Sequence, residues 1–518
     1  MRSTKKTPNA NSKQTARQAR KAKLRQAQIE RRAANKPKLE KKELVFEMRT
    51  TIEQHFPDLL DQMRQVDDVR QKASPYELAA HLTACLAMFL FKSGSRNQYN
   101  QYRGDETFKR NFKRLFGFGM PHGDSFQNVI ALLNTEQIEA LKHKMVQKLL
   151  QRKTFHLSRY RDNWFCIAVD ASGVGSYDHK RDEQCLHTTS KNGKVTWFHN
   201  VLEARLVTPL GFSISVATEW IENPEDGEYD KQDCERNAFT RMAEKLKTLY
   251  PRLPILILAD GLYPYEDFFA ICKANNWAYC VTFKDGNLPS VWKQANELIS
   301  VQLSNTHSEK CLLPSGKTIE QEFRWVTGLN YHGYPLNCLE CVETVSPANS
   351  DTSGAKPQAT RFAHITNLPV NGSNIAGTSR VGRLRWKIEN EGFNTLKNGG
   401  YGMEHQYARK SYTALKNYFQ FMQMAHIIHQ LMTINTRFQE NFMKAPNHPT
   451  LKALWSSLIG VLRNGDLDEQ ELKLDVQVFR FGNRRGSVRI VPPHKFRRDC
   501  HVCSIPAVCH QLCPRTQR

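Results

Sequence analysis

Trp164-Phe165-Cys166-Ile167-Ala168-Val169-Asp170 and Ile255-Leu256-Ile257-Leu258-Ala259-Asp260 are two short apolar runs that each close on an aspartate. Gly261 follows the second and Ala171-Ser172-Gly173 the first. Runs of this length, punctuated in this way, read as buried strands. Such a strand carries its closing carboxylate to the edge of a sheet. Around the two runs the chain alternates. Strands are predicted over 164–170, 195–208 and 212–219, then a helix over 231–249, a strand over 255–260, a helix over 264–275 and a strand over 278–284. Three strands in a meander followed by helix, strand, helix and strand predict an α/β fold, a mixed sheet flanked by helices.

Working outward, residues 44–155 read as an all-α domain preceding that sheet. Tyr76 to Leu90 has apolar residues at helical spacing behind Ser74-Pro75, and Asp124 to Leu133 has an acidic first turn. The basic face of this region, with Lys109, Arg110, Lys113 and Arg114, either grips DNA or packs as scaffold. Beyond the sheet, residues 286–370 read as a β-rich insertion, with strands near 320–328, 336–345 and 361–366 and a Pro/Ser/Gly-rich loop at 346–358. The core pattern resumes over 375–435. It holds a helix from about Arg380 to Lys397, with Ser379 as its cap and Asn398-Gly399-Gly400 as its stop, and a long helix over 404–435. A last helix over 450–463 belongs to a C-terminal region, 436–518, whose tail is basic and rich in cysteine.

The charge balance names the class of partner. The chain has 518 residues, 74 Lys and Arg against 51 Asp and Glu, and a net charge of +23. Such an excess favours an anionic polymer, most simply nucleic acid. Residues 1–43 carry 15 Lys and Arg against 3 Asp and Glu, with few large apolar residues. This segment is expected to be a disordered basic arm that binds DNA through counterion release, or else only a solubilising tail. No apolar run approaches the roughly 18 residues of a membrane-crossing helix, and no secretory signal opens the chain. With 13 scattered Cys, the expected setting is reducing and cytoplasmic, with no membrane partner.

Three acids in so basic a chain suggest divalent-metal chemistry on a phosphate backbone. Asp170, Asp260 and Glu389, the last in Arg385-Trp386-Lys387-Ile388-Glu389-Asn390, supply oxygen ligands of the kind Mg²⁺ or Mn²⁺ takes. Glu391 competes with Glu389, but on an ideal helix the two lie about 200° apart. Arg385 stands four residues before Glu389 and so shares its face.

Arg385-x3-Glu389, Asp260-Gly261-Leu262-Tyr263, Lys231-Gln232-Asp233-Cys234-Glu235, Phe362 to Leu368 and Gly400-Tyr401-Gly402-Met403-Glu404-His405 together resemble the DDE-type transposases of bacterial insertion sequences. The resemblance covers about 160–430, with 90 residues between Asp170 and Asp260 and 129 from there to Glu389. It implies an RNase H-like catalytic domain built from 160–285 and 375–435, with 286–370 as an inserted β-domain. The implied activity is cleavage of double-stranded DNA at element ends, then attack of the freed 3′-hydroxyl on target DNA, by a dimer on DNA in a bacterial, nucleoid-associated setting. Arg385 would position a phosphate. The family's Tyr-x2-Arg-x3-Glu-x6-Lys signature departs here at Gly382, where Tyr is expected, and its Lys falls one residue late, at Lys397, which still could reach a phosphate. Some relatives stack a flipped base on an aromatic of the insertion. Trp325 occupies that region, and a core role is expected for it.

Two cysteine groupings complete the reading. Cys500-x2-Cys503-x5-Cys509-x3-Cys513 offers two pairs of ligands to Zn²⁺, or else is a disordered thiol-bearing tail. Cys338-x2-Cys341 falls on a predicted strand, where residues three apart point to opposite faces, so a shared metal is not expected. Two readings stand beside the transposase: an RNase H-like nuclease without strand transfer, and an inactive derivative that only occupies DNA.

Overall fold

The computed structural model describes residues 43–223, 233–313, 318–346, 357–408, 411–444 and 448–468. The basic arm up to residue 42 and the Cys500 to Cys513 cluster lie outside these residues. Helices α1 (Glu43–His55), α2 (Leu59–Arg64), α3 (Leu78–Leu90), α4 (Arg96–Arg103), α5 (Glu106–Phe116), α6 (Gly123–Ile130) and α7 (Thr135–Gln151) precede the first strand. Then come β1 (Phe165–Tyr177), β2 (Leu186–Thr189), β3 (Val195–Val207), β4 (Ser213–Ile221), α8 (Glu235–Leu249), β5 (Ile255–Ala259), α9 (Glu266–Ala274) and β6 (Ala278–Thr282). They are followed by α10 (Pro289–Val301), β7 (Thr306–Leu312), β8 (Thr318–Tyr331), β9 (Tyr334–Ser346), β10 (Gln358–Thr366), α11 (Ile375–Arg383), α12 (Tyr412–Ile434) and α13 (Leu451–Asn464).

One ten-stranded mixed sheet runs β2-β3-β1-β5-β6-β10-β9-β8-β7, with β4 also paired to β3. β1, β5 and β6 are parallel, whereas the meander β1, β3, β4 is antiparallel. β10 pairs antiparallel with β6, so the strands of 286–370 extend the sheet they interrupt in sequence. That region also holds α10, which packs on β8 and which the loss of alternation in the sequence concealed. Trp325 lies in a small core with Phe323, Leu339 and Val370, in keeping with a core role. Cys338 belongs to the main core and Cys341 to this small one, on opposite faces of β9.

Helices cover both faces of the sheet. Tyr279 of β6 packs on Phe268 and Phe269 of α9, while the next residue, Cys280, turns its thiol toward Thr378 of α11. The N-terminal helices share one continuous core with the sheet and with α12. All thirteen residues of α3 are buried, because it sits against α12 and α6 with no free face. The basic face of α5 is partly occupied: Arg110 and Arg114 both pair with Asp466, and Asn111 donates to the carbonyls of Leu462 and Gly465 at 2.9 and 2.6 Å. Among the described residues no helix is long and apolar enough to cross a membrane.

Candidate active site

β1 does not stop at Asp170 as the sequence suggested. It continues to Tyr177 because β3 pairs with it from Ile167 to Tyr177, with an irregularity between Gly173 and Gly175. Its parallel partner β5 pairs only as far as Ala168 with Leu258, so Asp170 lies just past the end of that ladder, at the level where Asp260 leaves β5. The two aspartates thus lie together just past the end of the β1–β5 ladder, Asp170 within β1 and Asp260 where the chain leaves β5. The Asp260 side chain accepts the Leu262 amide at 2.8 Å, fixing the turn, and Lys284 bonds its other oxygen at 3.2 Å.

The third acid arrives on an irregular helix. A single helix over 380–397 is not what forms. α11 starts at Ile375 behind Asn374, and Ser379 is buried within it rather than capping it. The chain then tightens through bonds from Arg385 N to Gly382 O and Ile388 N to Arg385 O before a wide π-helical segment, Ile388–Asn394. Widened turns of this kind recur at functional sites. The segment stays over the sheet face that Asp170 shares, and the turn after Asn398 closes with Gly400 at φ 90°.

Arg385 joins the acids. Its Nη1 donates to Glu389 Oε1 at 2.8 Å and to Asp170 Oδ2 at 3.3 Å, and its guanidinium lies over the Trp386 ring. The buried Nε has no hydrogen-bond partner. Lys387 holds Glu391 at 2.7 Å, so the two glutamates are separated by partner as well as by position. Lys397 pairs with Glu404 at 3.0 Å instead of with any acid of the group.

Gly382 accounts for the departure from the tyrosine of the signature. A Cβ there would lie 2.6 Å from the His364 ring and 2.9 Å from Cys280 Sγ, so any side chain would collide. The buried imidazole of His364 fills the space.

Glu235, at the first turn of α8, is a fourth carboxylate that the sequence reading quoted but gave no role. Its charge and those of Glu389 and Asp260 act on Asp170. The buried Tyr263 hydroxyl donates to Glu235 Oε1 at 2.7 Å, which ties Asp260-Gly261-Leu262-Tyr263 to the helix. Burial holds the Glu235 carboxyl above the usual carboxylate range; the Tyr263 hydrogen bond opposes this and the Asp260 charge adds to it. For Asp170, burial is again the largest cause, Arg385 opposing it and the neighbouring acids adding to it, and its pKa is pushed up to about 7. The sequence signal for Glu235 was its place at the end of Lys231-Gln232-Asp233-Cys234-Glu235, quoted for the resemblance with no role for the acid.

This donor set suits a hard divalent cation. It is all oxygen, it is partly buried, and among the described residues Arg385 and Lys284 are the cations paired with its acids. The carboxylates are not drawn into one tight cluster. Among the described residues, the group whose ligand atoms all lie within 4.8 Å of one another is a different one, Asp182, Cys185 and His199. Compared with known proteins, the chain matches no family model and no curated protein.

Proposed function

We propose that the protein is a metal-dependent DNA transposase with an RNase H-like catalytic core, cleaving at element ends and joining the freed 3′-hydroxyl to target DNA. The observation that carries this reading is Arg385 bridging Asp170 and Glu389 beside Asp260, a surplus of carboxylates within a chain of net charge +23. The meander β1, β3, β4, the crossover through α8 to parallel β5 and β6, and a later helical segment bearing the third acid support the fold the resemblance implied. Held by Asp170, Asp260 and Glu389, Mg²⁺ or Mn²⁺ would supply an activated water or 3′-hydroxyl and neutralise the leaving oxygen.

The protein's own groups do the rest. Arg385 offers its guanidinium to a phosphate oxygen by charge-assisted hydrogen bonds and so orients the scissile or flanking phosphate. Tyr263 keeps Glu235 from swinging onto Asp260 or away from the site. Lys284, more than half exposed, can exchange Asp260 for a phosphate. The remaining positive charge supplies non-specific affinity that falls with salt.

The test is incubation of the full chain with a plasmid carrying its coding region and flanking DNA, with and without Mg²⁺. Transposition predicts cleavage at both flanks and joined products. Cleavage without joining would favour the nuclease reading, and binding without cleavage in either Mg²⁺ or Mn²⁺ would leave only the DNA-binding derivative.

A further inference from the structure

The end of β1 away from the carboxylates carries a second, chemically different group. Asp182 and Cys185 lie on the connection from β1 to β2, and His199 lies on β3. His199 Nε2 stands 3.0 Å from Asp182 Oδ1 and 3.4 Å from Cys185 Sγ. One ring nitrogen therefore faces both a carboxylate oxygen and a sulfur, and a single N–H cannot point at both. On the other side of the ring, Nδ1 is 3.0 Å from the Tyr177 hydroxyl. If Nδ1 carries the proton and the hydroxyl accepts it, the Nε2 lone pair is directed at Asp182 and Cys185. Support of this kind from a neighbouring polar group is what fixes metal-binding histidines.

The surroundings hold the group in place. Cys185 and His199 are buried, while Asp182 is partly exposed. The His199 ring stacks on Tyr412 at 4.6 Å between centroids, and Asn223 donates to the Cys185 carbonyl at 3.2 Å. Gly175 is needed for the tyrosine to fold back, since a Cβ there would lie 2.3 Å from the Tyr177 hydroxyl oxygen. His199 lies opposite Gly175, five residues along β1 from Asp170 and so roughly 16 Å away, so the two groups do not share ligands.

The geometry points to a Zn²⁺ site formed by Asp182, Cys185 and His199, with water completing the shell on the exposed Asp182 side. A thiolate, an imidazole and one carboxylate are borderline ligands that suit Zn²⁺ and not Mg²⁺. The ion pins the β1–β2 connection to β3. This inference does not depend on the transposase reading.

The test uses the full chain with Cys500→Ser, Cys503→Ser, Cys509→Ser and Cys513→Ser, so that these tail thiols do not contribute, stripped of metal and titrated with Co²⁺ and then Zn²⁺ in excess Mg²⁺, which keeps the carboxylate group occupied. One equivalent of Co²⁺ with a thiolate-to-cobalt absorption band is expected, and Zn²⁺ should displace it and raise the thermal midpoint by several degrees. Cys185→Ser should lose the band, and His199→Gln should lose stoichiometric binding; circular dichroism checks that each variant is folded. Asp182→Asn, the most exposed change, should weaken binding at least tenfold even if the buried substitutions unfold the protein. No uptake by the tail-substituted protein, or undiminished uptake by Asp182→Asn, would overturn the site and leave a His199–Asp182 ion pair beside a thiol.

Discussion

Asp170 and Glu203 face each other across the β1–β3 ladder, on the same side of the sheet, and have opposite surroundings. Glu203 is fully buried and fully provided for. Arg205 donates to it at 3.1 Å, the Thr218 hydroxyl at 2.5 Å, and the Lys142 ammonium sits on the same Thr218 hydroxyl. Arg205 in turn reaches Ser213, Gln423 and His426, so this acid locks α12 onto the sheet. Asp170, one strand away, shares a single arginine with Glu389 and lies within the field of three more carboxylates. A buried acid that serves structure has its own cation and donors. Asp170 is left short of positive charge, and in the proposed function a metal and substrate would make up the difference.

The largest expected effect breaks the functional side of this contrast. Asp170→Asn, Asp260→Asn and Glu389→Gln should each lower Mg²⁺-dependent cleavage by on the order of 10³-fold or more, comparable to removing a principal transition-state stabiliser. DNA binding, measured by filter retention or anisotropy, should stay near that of the parent. Cleavage retained by Glu389→Gln and lost in Glu391→Gln would move the third ligand to Glu391.

Glu203→Gln should do the reverse. It strands the Arg205 charge in the core and should cost about 3–5 kcal/mol of stability, read from urea unfolding. Any folded protein should keep its dependence on Mg²⁺. A selective loss of metal response in a stable Glu203 variant would show that the two acids are not as separate as their partners imply.

Asp170→Asn should instead stabilise the metal-free protein at neutral pH, by roughly 1–3 kcal/mol. The sign follows from the raised pKa. Between about 4 and about 7 the folded state holds the Asp170 proton more tightly than the unfolded chain, so stability falls as pH rises through that window. Asparagine removes this loss. In EDTA the parent should therefore be more stable at pH 5 than at pH 7 relative to the variant, and Mg²⁺ should raise the midpoint of the parent only. Equal pH dependence in both proteins would refute the charge deficit at Asp170.

Glu235→Gln sharpens the comparison further. The glutamate neighbours the acids proposed to bind the metal, and losses of about 10–100-fold are usual for residues that support metal ligands. Its effect should fall on the pH profile of cleavage as well as on the rate, because it contributes to the field at Asp170. A flat profile change with an unfolded variant would mean that Tyr263 and Glu235 serve packing alone. Glu391→Gln is the smallest change. Its partly buried i,i+4 pair with Lys387 is worth on the order of 0.5 kcal/mol, and cleavage should be unaffected.

Local signals carried much of this protein. The apolar runs ending at Ala168-Val169 and Leu258-Ala259 are short, rich in β-branched and aliphatic residues and bounded by turn signals, which suits a sheet interior, and their closing aspartates do lie together just past the end of the β1–β5 ladder. The Arg385 to Glu389 spacing also survived, since a four-residue step brings the two together even across a tightened turn. What local pattern lacked was any measure of partners distant in sequence. It ended β1 at Asp170 because Ala171-Ser172-Gly173 is a poor strand on its own, whereas pairing with Val201 and Leu202 holds that segment extended. It placed a cap at Ser379, a position that α11 buries against the sheet. It separated 286–370 as an insertion, and only the β10–β6 pairing joined those strands to the same sheet. Burial assigned Glu235 its place beside Asp170, and the fold of β1 onto β3 brought Asp182, Cys185 and His199 together. Charge surplus and ligand geometry are properties of surroundings, and a linear chain states its surroundings only once it has folded.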